Sequence, residues 1–182
     1  LAIPSELSWI RDALAVVASE TFSSVSAPVQ HAAVAAFQGN AEIADYLQHS
    51  RRVMSALLSQ CAQILIDAGV QCAMAEGGFY LLPDFSGFEH ELHRRDINSG
   101  RALAQQLLQD TGVASLPGSE FGLPEESLVL RIALVDFDGE AALDACEEHA
   151  MNKPLDADFS RQFINRPIEA MEKIVSWLAQ NS

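Results

Sequence analysis

One side chain of this sequence needs a charged partner that its neighbours in the chain do not offer. Arg131 lies in Leu128-Val129-Leu130-Arg131-Ile132-Ala133-Leu134, where strand alternation sets it on one face with Val129, Ala133 and Val135. An unpaired guanidinium among apolar neighbours is costly, so it requires an anion. That anion is an internal carboxylate, unless Arg131 sits at a sheet edge, or it is the carboxylate of a ligand gripped by two parallel hydrogen bonds. Lysine is poorly shaped for that last task. Gly77-Gly78-Phe79-Tyr80 sets two residues without side chains ahead of two aromatics. This is a β-bulge with core rings, or a backbone that comes close to a ligand beside an aromatic wall. Pro117-Gly118-Ser119-Glu120-Phe121-Gly122 is an ordinary turn or a loop closing over a pocket.

Other chemistries lack an anchor. His90-Glu91-Leu92-His93 spaces two imidazoles three apart, but the spacing is not that of a zinc protease and no third ligand is evident, so no metal is expected. No Gly-x-Ser-x-Gly elbow and no phosphate-cradling glycine loop occur. Lys+Arg 11 against Asp+Glu 25 leaves a net charge of −14, which repels nucleic acid and anionic lipid. No run approaches the ~20 apolar residues of a membrane span, so no membrane partner is expected and the default location is the cytoplasm. Cys61, Cys72 and Cys146 are odd in number and widely spaced, as expected of reduced, mostly buried thiols.

The elements that must position Arg131 follow from periodicity. A helix is expected from Pro4-Ser5, then a hydroxyl-rich loop from Thr21 to Ser26, then an alanine-rich helix capped by Ser26 and broken at Gly39-Asn40. From Ala41 to Ala68 nothing interrupts an apolar stripe, and Gly69 supplies a left-handed stop. So long a one-striped helix is expected to bridge two lobes. Short strands are expected at 71–75, 78–82 and 113–116, with a charged loop over 86–97. A helix capped by Asn98 or Ser99 would bury Leu103, Leu107 and Leu108. Leu128 to Val135 is nearly all apolar, which predicts a strand buried on both faces. A helix over 138–149, a polar irregular stretch over 151–165 and an amphipathic helix over 167–180 complete the chain.

Taken in order, these segments resemble the C-terminal part of a class I/II aminotransferase, a pyridoxal-phosphate enzyme of fold type I. Four blocks carry the resemblance: Ser23-Ser24-Val25-Ser26-Ala27-Pro28-Val29-Gln30 with the helix after it; Gly77-Gly78-Phe79-Tyr80-Leu81-Leu82-Pro83; Leu107-Leu108-Gln109-Asp110-Thr111-Gly112-Val113-Ala114 running into Pro117–Gly122; and Leu130-Arg131-Ile132-Ala133. The resemblance covers about residues 1–150 and resumes in the last helix, while Met151 to Arg166 looks like an insertion. It implies an α/β fragment. Residues 1–40 would end the large, cofactor-binding domain, 41–69 would form the interdomain helix, and 70–182 would form a small domain of short strands covered by helices.

The same resemblance implies site roles. Arg131 would bind the α-carboxylate of the amino-acid substrate, and Gly78 and Phe79 would line the substrate pocket. Ser23 and Ser24 would reach toward the cofactor phosphate of a neighbouring subunit, although Ser-Val stands here where Asn-Pro is frequent. The partners implied are amino-acid and 2-oxo-acid substrates and a second copy in a homodimer. The Schiff-base lysine would lie upstream of Leu1, since neither Lys153 nor Lys173 matches it, so no catalytic residue is expected in this chain. The start at Leu1 without a methionine likewise suggests a piece of a longer protein. Two other classes share these features: a ligand-sensing aminotransferase-like domain of a transcription regulator, and a lyase of the same fold.

Overall fold

The computed structural model describes residues 3–21, 24–151 and 153–180. The chain divides into two compact units, Leu1–Asp45 and Tyr46–Ser182. In the first, α1 (Ser8–Thr21) and α2 (Ala27–Gln38) are α-helices with no buried residue. Ser26 takes the N-cap position of α2 but its side chain makes no capping bond.

Helix α3 (Ala41–Asp67) starts in the first unit and runs on through the second. Asn40 Oδ1 accepts the Ile43 N–H at 2.8 Å and starts it. At the other end Gly69 adopts φ +89°, and the Val70 N–H reaches back to the Leu65 carbonyl at 3.0 Å. The buried stripe is Val53, Leu57, Leu58, Cys61, Ala62 and Leu65. Full burial of one such leucine is worth about 1.5–3 kcal/mol, which outweighs the small propensity differences along the helix.

The sheet has three strands in the order β1 (Tyr80–Leu81), β3 (Leu130–Ala133), β2 (Leu116–Pro117), both pairings antiparallel. Helix α4 (Glu89–His93) precedes α5 (Gly100–Thr111), which packs on β2 and on the last helix. Ser99 caps α5 by accepting the Ala102 N–H, and Gly112 ends it in the left-handed region. Then follow α6 (Gly139–Glu148), capped by Asp138, α7 (Ala157–Phe163), capped by Asp156, and α8 (Asn165–Ala179). The core of the second unit is one cluster drawn from α3, α5, α8 and the inner sheet face. No described helix is long and apolar enough to cross a membrane.

Several expectations need correction. Segment 128–135 is not buried on both faces: Leu128, Leu130, Ile132 and Leu134 are buried, whereas Ala133 and Val135 are exposed and Val129 and Arg131 half-buried. Alternation therefore holds, but helices cover only one side. The strand expected over 71–75 reduces to a single bridge, Gln71 with Asp84, and those over 78–82 and 113–116 shrink to two residues each. The charged stretch 86–97 contains α4, and 151–165 contains α7, held by buried Phe159 and Ser160. Leu108 is 50% exposed; Ala104 takes the core place instead.

Candidate functional site

Arg131 stands mid-strand on β3, on the sheet face opposite the buried side chains of Leu130 and Ile132. Leu116 is paired directly opposite on one side. On the other, the register Tyr80↔Ala133 and Leu81↔Ile132, continued by the Asp84↔Val129 bridge, sets Leu82 opposite it. The guanidinium is flanked by two rings, with Cζ 4.4 Å from the Tyr80 centroid and 4.0 Å from that of Phe121. Among the described residues it forms no hydrogen bond and no ion pair. A half-buried cation is thus held by aromatic faces, a weaker partner than a carboxylate at about 0.5–2 kcal/mol per ring, and its N–H donors are left unspent.

Local backbone features place both rings. Gly78 has φ +75°, and an added Cβ would meet nothing within 4 Å, so conformation and not space demands glycine. The chain then runs into Phe79, whose carbonyl accepts the Leu134 N–H at 2.9 Å and whose ring leans on Tyr80 with centroids 4.3 Å apart. Phe121 ends a 3-10 turn, Gly118–Phe121. That turn is seated on β3 by the Gly118 N–H to the Val129 carbonyl at 2.8 Å. A Cβ on Gly118 would lie 2.7 Å from Leu123 Cδ1, the movable end of a side chain, and 3.1 Å from the Val129 oxygen, so the backbone approach there is tight.

Of the sequence-predicted residues, Phe79 is linked to Arg131 only through Tyr80, whose ring it touches, and Gly78 borders a cavity with Leu47, Met54 and Leu58 of α3 that Arg131 does not line. Ser24 is an exposed residue of the first unit, and Ser23 lies outside the described residues. In the sequence Phe121 reads only as part of a turn. Its place beside Arg131 depends on that turn folding back over β3, which no local pattern announces.

A model of the family described as aminotransferase class I and II matches residues 2–147. The chain belongs to this family. Aspartate/prephenate aminotransferase of Cereibacter sphaeroides is similar to it, 32% identical over 114 residues, which is 61% of this chain and 28% of that protein. Aspartate aminotransferase of Bacillus subtilis is 31% identical over 114 residues, 62% of this chain and 28% of that protein. The chain thus spans under a third of the length of these curated relatives.

The aminotransferase match ends within α6, so α7 and α8 lie beyond it. The connection between α6 and α7 is tied to α3 by Arg52. Its guanidinium donates to the carbonyls of Cys146, His149, Ala150 and Lys153 at 3.0–3.3 Å, and to the Met151 sulfur. A cation at the last turn of α6 also offsets that helix's negative end. Pyridoxal phosphate needs a lysine amine, and the described residues place none beside Arg131. Lys153 is in the α6–α7 connection, and Lys173, on α8, borders a cavity of about 370 Å³ with Asp136, Arg166 and Glu169. By themselves these residues do not fit the cofactor.

Proposed function

We propose that this chain is the C-terminal portion of a pyridoxal-phosphate-dependent aminotransferase and contributes the arm that receives the substrate's carboxylate. The observation that supports this best is Arg131: a mid-strand guanidinium between two rings, with no counter-ion among the described residues and its donors available. An amino acid and a 2-oxo acid share the α-carboxylate, so one fork serves both halves of an amino-group exchange. The resemblance assigns Gly78 and Phe79 to the substrate pocket, and Leu82 and Leu116 flank Arg131 on the neighbouring strands. The names of the relatives point to aspartate as one amino donor.

In this reading residues 1–40 finish the large domain, 41–69 form the interdomain helix and 70–182 form the small domain. The Schiff-base lysine would belong to the part of the family's length that this chain does not span, and the cofactor held there would supply an electron sink at the substrate's α-carbon. The resemblance assigns Ser23 and Ser24 to the cofactor phosphate of a second subunit in a homodimer. Two outcomes follow. The chain mixed with pyridoxal phosphate and reduced with borohydride keeps its mass; a stable adduct on Lys153 or Lys173 overturns the assignment of that lysine. In a protein joining this chain to the preceding family region, Arg131→Gln lowers kcat/KM for transamination about 10- to 100-fold, from ~1.5–3 kcal/mol for hydrogen bonds to a charged group. Unchanged kinetics overturn the role of Arg131.

A further inference from the structure

The geometry points to Arg101 as a positioning residue for the carboxylate site: it engages Glu120 and so withholds the nearest acid of the turn from Arg131. This rests on the reading of Arg131 given above. Phe121, whose ring lies 4.0 Å from the Arg131 Cζ, directly follows Glu120 in the 3-10 turn Gly118–Phe121. Glu120 is the one acid of that turn. The turn is seated on β3 by the Gly118 N–H to the Val129 carbonyl at 2.8 Å, and Gly122 leaves it at φ +88°. An acid one residue from a ring that touches a cation with no counter-ion among the described residues is a candidate internal counter-ion. It is instead turned to α5, where Arg101 Nη2 meets Glu120 Oε1 at 2.7 Å.

The pair is 60% and 47% exposed, so it adds little to stability. Its effect is on which cation Glu120 faces. With Arg101 removed, Glu120 competes with any incoming carboxylate for Arg131. The competition is of the size of an exposed ion pair, which corresponds to roughly two- to fivefold in apparent affinity.

The test follows the Arg131 Nε–Hε resonance of the whole chain during titration with acetate at constant ionic strength. Relative to wild type, Arg101→Gln weakens acetate binding two- to fivefold, Arg101→Lys does not, and Arg101→Gln with Glu120→Gln recovers wild-type binding. Glu120→Gln alone changes nothing. A general field effect would instead let Glu120→Gln improve binding by the same factor in both backgrounds, which overturns the proposal. So does Arg101→Gln binding acetate as wild type does. Thermal midpoints of the variants stay close to wild type, which separates positioning from loss of structure. Failure of acetate to move the resonance in wild type overturns the Arg131 reading itself, whereas a wild-type response with no Arg101 effect overturns this inference alone.

Discussion

Arg131 carries a cation in a half-buried place with no acid paired to it among the described residues, and this has a consequence for stability as well as for binding. Replacing it by methionine removes two ring contacts but also the cost of a poorly solvated charge, and the two oppose each other. Arg131→Met is therefore expected to shift folding stability by no more than about 1 kcal/mol in a urea melt, while abolishing carboxylate binding. A structural ion-pair arginine would lose several times that. Cys61 behaves oppositely, being all scaffold. Burial pushes its thiol from 9.0 up to about 12. Because the folded value is the raised one, the buried neutral thiol contributes fully below about pH 9 and that contribution fades as pH climbs toward 12. Urea midpoints measured from pH 8 upward should fall more steeply in wild type than in Cys61→Ala; parallel curves would contradict this. Arg131 was legible from sequence because an arginine inside an apolar alternating run has few explanations. Its ring partner Phe121 was not, because the turn that delivers it is fixed by contacts at Gly118 and Val129 that are distant in sequence.

Helices were more legible than strands. Caps such as Asn40 and Ser99 and stops such as Gly69 and Gly112 act within a few residues, so α3 and α5 can be bounded from the sequence alone. A strand is as long as its partners allow. Only β3 has neighbours on both sides, and β1 and β2 are two residues each despite longer apolar runs. Helix α7 carried a signal in Asp156, whose side chain accepts the Phe159 N–H at 2.9 Å, but the polar residues around it hid the buried Phe159 and Ser160. Two expectations belong to this scale. In α5 the first residue is Gly100, where alanine would gain about 1 kcal/mol in helix propensity. Yet a Cβ there lies 2.7 Å from the Ser127 carbonyl and 3.2 Å from that of Val129, both backbone. Overpacking of that kind costs about 1–3 kcal/mol, so Gly100→Ala should lower the melting temperature in calorimetry, and a rise would refute the close approach. The Arg52 clamp makes the second. Arg52→Met should speed amide exchange in 149–160 while leaving 128–134 protected, since only the former segment hangs on that guanidinium.

For the chain as a whole, charge and apolar exposure pull against each other. Its first unit presents Trp9 at 66%, Val16 at 65% and Phe37 at 91% exposure, surfaces that soluble monomers rarely keep together. The net charge of −14 repels other copies. Raising salt screens the repulsion and leaves the apolar attraction, so sedimentation should show more association at 0.5 M than at 0.02 M salt; a monomer under both conditions would contradict this. The net charge of −14 weighs against nucleic acid and anionic lipid as an expectation from composition, but it did not name the chemistry; that reading came from the order of four short blocks and the strand arginine in the last. The most direct measurement of that chemistry compares acetate with its neutral isostere acetamide on the intact chain, reading the Arg131 Nε–Hε resonance. A saturable shift with acetate, little or none with acetamide, and no acetate response at this site in Arg131→Lys is the predicted result. Equal responses to the two probes, or none to either, would mean that Arg131 does not grip carboxylates.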